Sequence, residues 1–186
     1  MYKFYVLASS DIASGAGIEI VFRTFADFYH SLTPKHRKKN KLVFVDKGGY
    51  ALPALQWAEQ LNIKTSVQVL NWKRIELINK AYEEATLLFV PSKREVREVI
   101  IDSLSKGIPV ISYQEEEQVP FINHTCGTLI DYYSKEQSID DFVKVMRILY
   151  FDPEACKLLQ KGALDRYNNL LNDGFIKESL TPSVAL

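Results

Sequence analysis

Cysteine is nearly absent from this sequence: Cys126 and Cys156 are the only two in 186 residues. Two thiols in a chain this long do not make a disulfide framework, so a stapled secreted scaffold is excluded and a reducing cytoplasm is the expected compartment. They have no metal-ligand spacing and no His partner in sequence, and they read as buried small hydrophobes. Net charge is missing too. Lys+Arg and Asp+Glu are both 23, so no global basic field draws in a nucleic acid. No apolar run reaches the roughly 18–20 residues that span a bilayer. The opening "MYKFYVLASSD" carries too short an apolar stretch for a signal peptide. The histidines, His30, His36 and His124, are scattered and predict structural or solvent-facing roles. There is no G-x-S-x-G elbow, no H-E-x-x-H and no G-x-x-x-x-G-K-[ST]. No catalytic residue, metal ligand or cofactor is therefore assigned.

What the sequence does have is alternation. With 47% hydrophobic and 25% charged residues it has an ordinary globular composition. "KFYVLAS" (3–9) reads as a strand, followed by a helix that puts Ile18, Val21, Phe22, Phe25, Phe28, Tyr29 and Leu32 on one face and stops at Pro34. Strands follow at 41–45, 65–70, 86–90, 108–112 and 127–131, with helices at 52–61, 74–85 and 95–106 between them. Gly107 is the expected C-cap of the last of these. Helices at 138–150, N-capped by Ser138, and at 153–172 close the chain. Six short apolar strands separated by helices predict an α/β fold: a doubly wound, mostly parallel Rossmann-like sheet covered on both faces. One domain over 1–176 is expected, with a loosely held tail at 177–186.

In such a sheet ligands bind at the C-terminal strand ends, where helix N-terminal amides and glycines receive phosphates. Gly15, Gly17, Gly48 and Gly49 fall there, yet "SGAG" fails as a dinucleotide fingerprint because Ile20 stands at the sixth position. Lys47, Lys73, Arg74, Lys93 and Arg94 supply cations near the same rim. Ser92 either satisfies its own turn or meets a ligand. Elsewhere "PKHRKKNK" (34–41) gathers five cations, either as a solvated connection or as a contact for an anionic membrane surface or acidic partner.

The order of segments resembles the C-terminal, donor-binding half of GT-B-fold retaining glycosyltransferases, family 4, the "glycosyl transferases group 1" type. The residues carrying it are "AGIEIVFRTF", "LVFVDKGG", "VQVLN", "ATLLFVPS", "REVREVIIDSLSKGIPVIS", "CGTLID" and "DPEACKLLQKGALDRY". The resemblance implies half of a two-lobed enzyme that needs no metal and takes a nucleoside-diphosphate sugar as donor. Carried over residue by residue, the carboxylate that receives the donor ribose falls on Asp102. The one that contacts the sugar falls on Glu95 with a one-residue deletion and on Arg94 without it. The family's diphosphate-binding Lys falls on Ala16 and its Arg among Ala8, Ser9 and Ser10. Its open glycines fall on Asp46 and Asn71. The implied donor-binding set is Asp102, Glu95, Ser92, Arg94, Gly48, Asn71 and Lys73.

Two functions follow as expectations, beside the reading that the chain is a fragment of a longer enzyme. The first is a nucleotide-sugar-binding domain that lacks its acceptor half and acts with a separate N-terminal half in retaining hexosyl transfer. The alternative is a degenerate pseudo-glycosyltransferase that acts as a protein-interaction or regulatory subunit. Nucleic acid is not an expected partner, and membrane contact is at most peripheral, through 35–41.

Overall fold

The structure, a computed structural model, describes residues 3–9, 15–92, 96–116 and 118–176. Six strands form its sheet: β1 (Phe4–Ser9), β2 (Asn40–Asp46), β3 (Val67–Asn71), β4 (Leu87–Val90), β5 (Val110–Tyr113) and β6 (Gly127–Ile130). They lie in the order β3-β2-β1-β4-β5-β6, and every adjacent pair is parallel. Parallel neighbours need a crossover, and the helices supply it. These are α1 (Gly15–His30), α2 (Pro34–Arg37), α3 (Ala51–Gln60), α4 (Ile75–Glu84), α5 (Arg97–Ser105), α6 (Lys135–Phe151) and α7 (Pro153–Asn172). The doubly wound fold expected from the alternation is the fold observed.

Each strand sends alternate side chains to opposite faces, and both sets are apolar. Phe4, Val6, Ala8, Leu42, Phe44, Leu87, Phe89 and Ile111 enter one core beneath α1, α3 and α6. Leu7, Val43, Val45, Leu88, Val90 and Val110 enter the other with residues of α4, α5 and α7. The predicted stripe of α1 is buried through Ile18, Val21, Phe22, Phe25 and Phe28. Phe22 packs edge-on against Phe44 of β2, and Phe89 of β4 does the same against Phe142 of α6. Both cysteines are buried free thiols, as their isolation predicts.

Three local expectations need correction. Pro34 does not simply end a helix: it opens the short α2, where its fixed φ and missing N–H suit a first helical position. Ser138 is not the N-cap of α6. That helix starts earlier, and Ser134 Oγ accepts from the Gln137 N–H at 3.1 Å. Ser138 lies inside the first turns and donates its hydroxyl back to the Ser134 carbonyl. The helix expected from 95 begins, among described residues, at Arg97. Gly107 holds its predicted place, with φ at +68° and a paired Gly107–Leu104 and Ile108–Ser103 closure of α5. The predicted tail at 177–186 lies outside the described residues.

Candidate ligand rim at the strand C-termini

The strand order reverses between β1 and β4. Their connections leave to opposite faces there, so a crevice opens at their C-terminal ends. Ser9 closes β1 on one side of it, and on the other Val90 closes β4, with Pro91 and Ser92 following. The N-terminus of α1, sixteen residues long with no acidic residue in its first turn, is the long positive helix end at this crevice. Ser92 is buried, and its carbonyl accepts from the Gln118 side-chain amide at 3.2 Å. Ser112 of β5 donates to the Val90 carbonyl at 2.8 Å. The floor of the crevice is thus tied across β4, β5 and the loop that follows β5.

Around the α1 end, Glu19 joins Lys135 at 2.8 Å and Arg23 at 3.0 Å, linking α1 to the start of α6. The Lys135 hydrogen bond, aided by Arg23, holds the Glu19 carboxyl below its ordinary range. Both cations here have a protein carboxylate already.

The β2 and β3 ends are closed by their own side chains. Asp46 Oδ1 accepts from the N–H groups of Gly48 at 3.1 Å and Tyr50 at 2.9 Å. Those are the donors that an anion at the start of α3 would need. Asn71 Oδ1 accepts from the Lys73 N–H at 2.9 Å. The Lys73 ammonium stands 6.0 Å from the Trp72 ring centroid. Gly48, Asn71, Lys73 and Ser92 therefore all lie on the rim where the sequence put them, although the first two are bound up in local turns.

Asp102 is placed differently. It sits midway along α5 with its side chain turned inward, and the carboxylate makes a short ion pair with Lys106 one turn further on. The Lys106 ammonium also lies 4.7 Å over the ring of Tyr82 from α4. Burial, and then the Asp102 charge, push the Tyr82 phenol far above its ordinary value. Lys106, Tyr82, Gly107 and Ile108 line a groove of about 600 Å³ at the N-terminal ends of β4 and β5, away from the rim. The carboxylate is engaged on that side rather than open to the crevice. Glu95 and Arg94 lie outside the described residues, as does Lys93.

An exposed apolar patch on the rim is what the partner-serving alternative expects; what sequence reasoning missed is which residues form it. Leu52 and Leu55 of α3, Trp72 and Ile75 after β3, Val119 after β5, and Tyr132 and Tyr133 after β6 are all substantially exposed. A spaced list of hydrophobics does not reveal this, because exposure depends on what the other elements leave uncovered. Among the described residues no group of three or more His, Cys, Asp or Glu side chains is placed to hold a metal. No helix there is long and apolar enough to cross a membrane.

Comparison with known proteins agrees with this geometry. No curated protein matches the sequence. Among solved structures, the pneumococcal O-GlcNAc transferase GtfA, in complex with UDP and GlcNAc, superimposes with a TM-score of 0.77 at 14% identity, covering 92% of this chain and 33% of that one. A GtfA/B complex gives 0.75 at 15% identity, covering 91% and 33%. Sucrose-phosphate synthase from Thermosynechococcus elongatus gives 0.72 at 20% identity, covering 90% and 41%. At these identities the likeness is one of fold, and the chain spans less than half the length of each. A family model described as "Glycosyl transferases group 1" matches residues 3–164, most of the sequence. The chain belongs to the glycosyl transferases group 1 family.

Proposed function

We propose that this chain is the donor side of a glycosyl-transfer enzyme, holding a nucleoside-diphosphate sugar at the β1/β4 crevice while a second Rossmann-like half supplies the acceptor. The observation that carries this reading is the crevice itself: a strand-order reversal with the α1 N-terminus beside it, in a chain of the glycosyl transferases group 1 family. In this reading the α1 amides receive the diphosphate. Ser92, Gly48, Asn71 and Lys73 line the approach, with Arg94 and Glu95 following Ser92 in sequence. No metal takes part, since helix amides and side-chain cations supply the positive charge. Closure of the second half over the rim excludes water from the transfer. The similar GtfA was solved with UDP, which makes uridine nucleotides the first to try.

A second reading has its own support. Asp102 is paired with Lys106, Asp46 caps its own loop, and the family's diphosphate-binding Lys falls on Ala16. On that reading the rim has lost its ligand and serves a partner chain in a regulatory or structural role. A solved relative by fold exists as a GtfA/B complex. The two readings separate in a thermal-shift and calorimetry series with UDP, GDP, ADP and their sugar conjugates. A ligand at 100 times its Kd adds about 2.7 kcal/mol to stability, which the donor-side reading expects from at least one nucleotide. Silence across the whole series leaves the partner role.

A further inference from the structure

We propose that the end of the molecule opposite the rim, built from α2 and the last turn of α6, docks on an anionic lipid headgroup layer. Lys35, Lys38 and Lys39 are exposed on and just after α2. Among the described residues, Lys35 and Lys38 have no ion pair. Arg37 does different work. Its guanidinium donates to the carbonyls of Tyr29, His30 and Leu32, which fastens α2 to the end of α1.

The second component is apolar. Ile148 and Phe151, three residues apart and so on one side of α6, are 62% and 56% exposed. The Arg147 guanidinium lies 5.6 Å from the Phe151 ring centroid. The two components are one rigid surface, because His36 of α2 hydrogen-bonds the Tyr150 hydroxyl at 2.9 Å and its ring stands 6.2 Å from Phe151. The carboxylates next along the chain are engaged: Asp152 accepts from the Ala155 N–H and Glu154 pairs with Lys157.

Exposed lysines beside a protruding aromatic and aliphatic pair fit a membrane interface. Headgroup phosphates take the cations, and the ring and the isoleucine side chain enter the boundary below them. An acidic protein would need the cations alone. Because α2 precedes β2 and the rim follows it, docking here turns the crevice away from the lipid. This surface does not depend on what the crevice binds.

The test is co-sedimentation of the whole chain with phosphatidylcholine vesicles, with and without about a third phosphatidylglycerol. Binding is expected only to the anionic vesicles and falls away as added salt shortens the Debye length to a few ångströms, about 3 Å at 1 M. Lys35→Glu with Lys38→Glu is expected to weaken it at least ~10-fold. Ile148→Ser with Phe151→Ser is expected to weaken it by about the same factor. Melting curves of both pairs check that the fold survives. Binding to neither vesicle, or equally to both, overturns the proposal. So does loss through the lysine pair alone with retention on a polyglutamate resin, which would mark an acidic-protein surface.

Discussion

A carboxylate withdrawn from water needs a partner, and Asp102 has found one in its own helix. The residue is 5% exposed and its counter-ion, Lys106, reaches it from one turn away while a third of the lysine side chain stays in solvent. Replacing Asp102 with Asn removes the charge but keeps the shape. Lys106 can then turn outward, so the cost is smaller than for a fully enclosed pair, about 1–2 kcal/mol. Urea unfolding with an unchanged m-value measures it. If the carboxylate is structural, any nucleotide response of the protein survives in Asp102→Asn. Loss of that response with stability intact would return Asp102 to the ligand. Part of this was readable beforehand, since Asp and Lys four apart on a helix are a known pair. Tyr82 was not readable, because it arrives from another helix. Asp46 is similar: "DKGG" carries the signature of a side chain that caps its own loop, but its register against β3 comes only from the sheet.

At the level of elements, α1 and α6 are joined at the rim by Glu19, Lys135 and Arg23. Lys135 and Arg23 depress the Glu19 carboxyl below its ordinary value of 4.5. A depressed folded value means that the tie contributes fully above the ordinary carboxylate value and is lost as pH falls through the depressed one. The expected outcome is extra acid sensitivity below that value, which Glu19→Gln removes while lowering stability near neutrality. Because the carboxylate is partly solvated, the effect is modest, about 1 kcal/mol or less. Unfolding midpoints taken across the acid range for both proteins decide it. Strands and long helices were legible in the sequence because period-two and period-3.6 patterns leave a mark that needs no tertiary knowledge. Short pieces were not. Pro34 is an equally good stop and start, and Ser134 and Ser138 are both able to cap, so the choice belongs to how α6 meets the sheet.

For the molecule as a whole, the rim exposes large apolar side chains among its charged ones. Leu52 is 66% exposed and Ile75, the first residue of α4, 50%, with Trp72 in the loop just before it. Side chains so exposed contribute little to the fold, so Leu52→Ser, Trp72→Ser and Ile75→Ser together should move the unfolding free energy by no more than about 1 kcal/mol. Their loss should nonetheless suppress concentration-dependent association in sedimentation velocity, since an uncovered apolar patch marks a docking face. Association that persists in the triple variant would place the contact elsewhere.

The central pairing of β1 with β4 also has a consequence for how the chain comes to be folded. The Tyr5 N–H reaches the Thr86 hydroxyl across 81 positions of sequence. During synthesis β1 can gather β2 and β3 early, but one edge of the first strand stays open until β4 emerges. A contact this distant in sequence slows folding, and an unpaired edge at the heart of the sheet invites wrong partners in the interval. Truncation before residue 87 should therefore yield a sticky nascent chain, whereas completion of β4 seals the middle of the sheet.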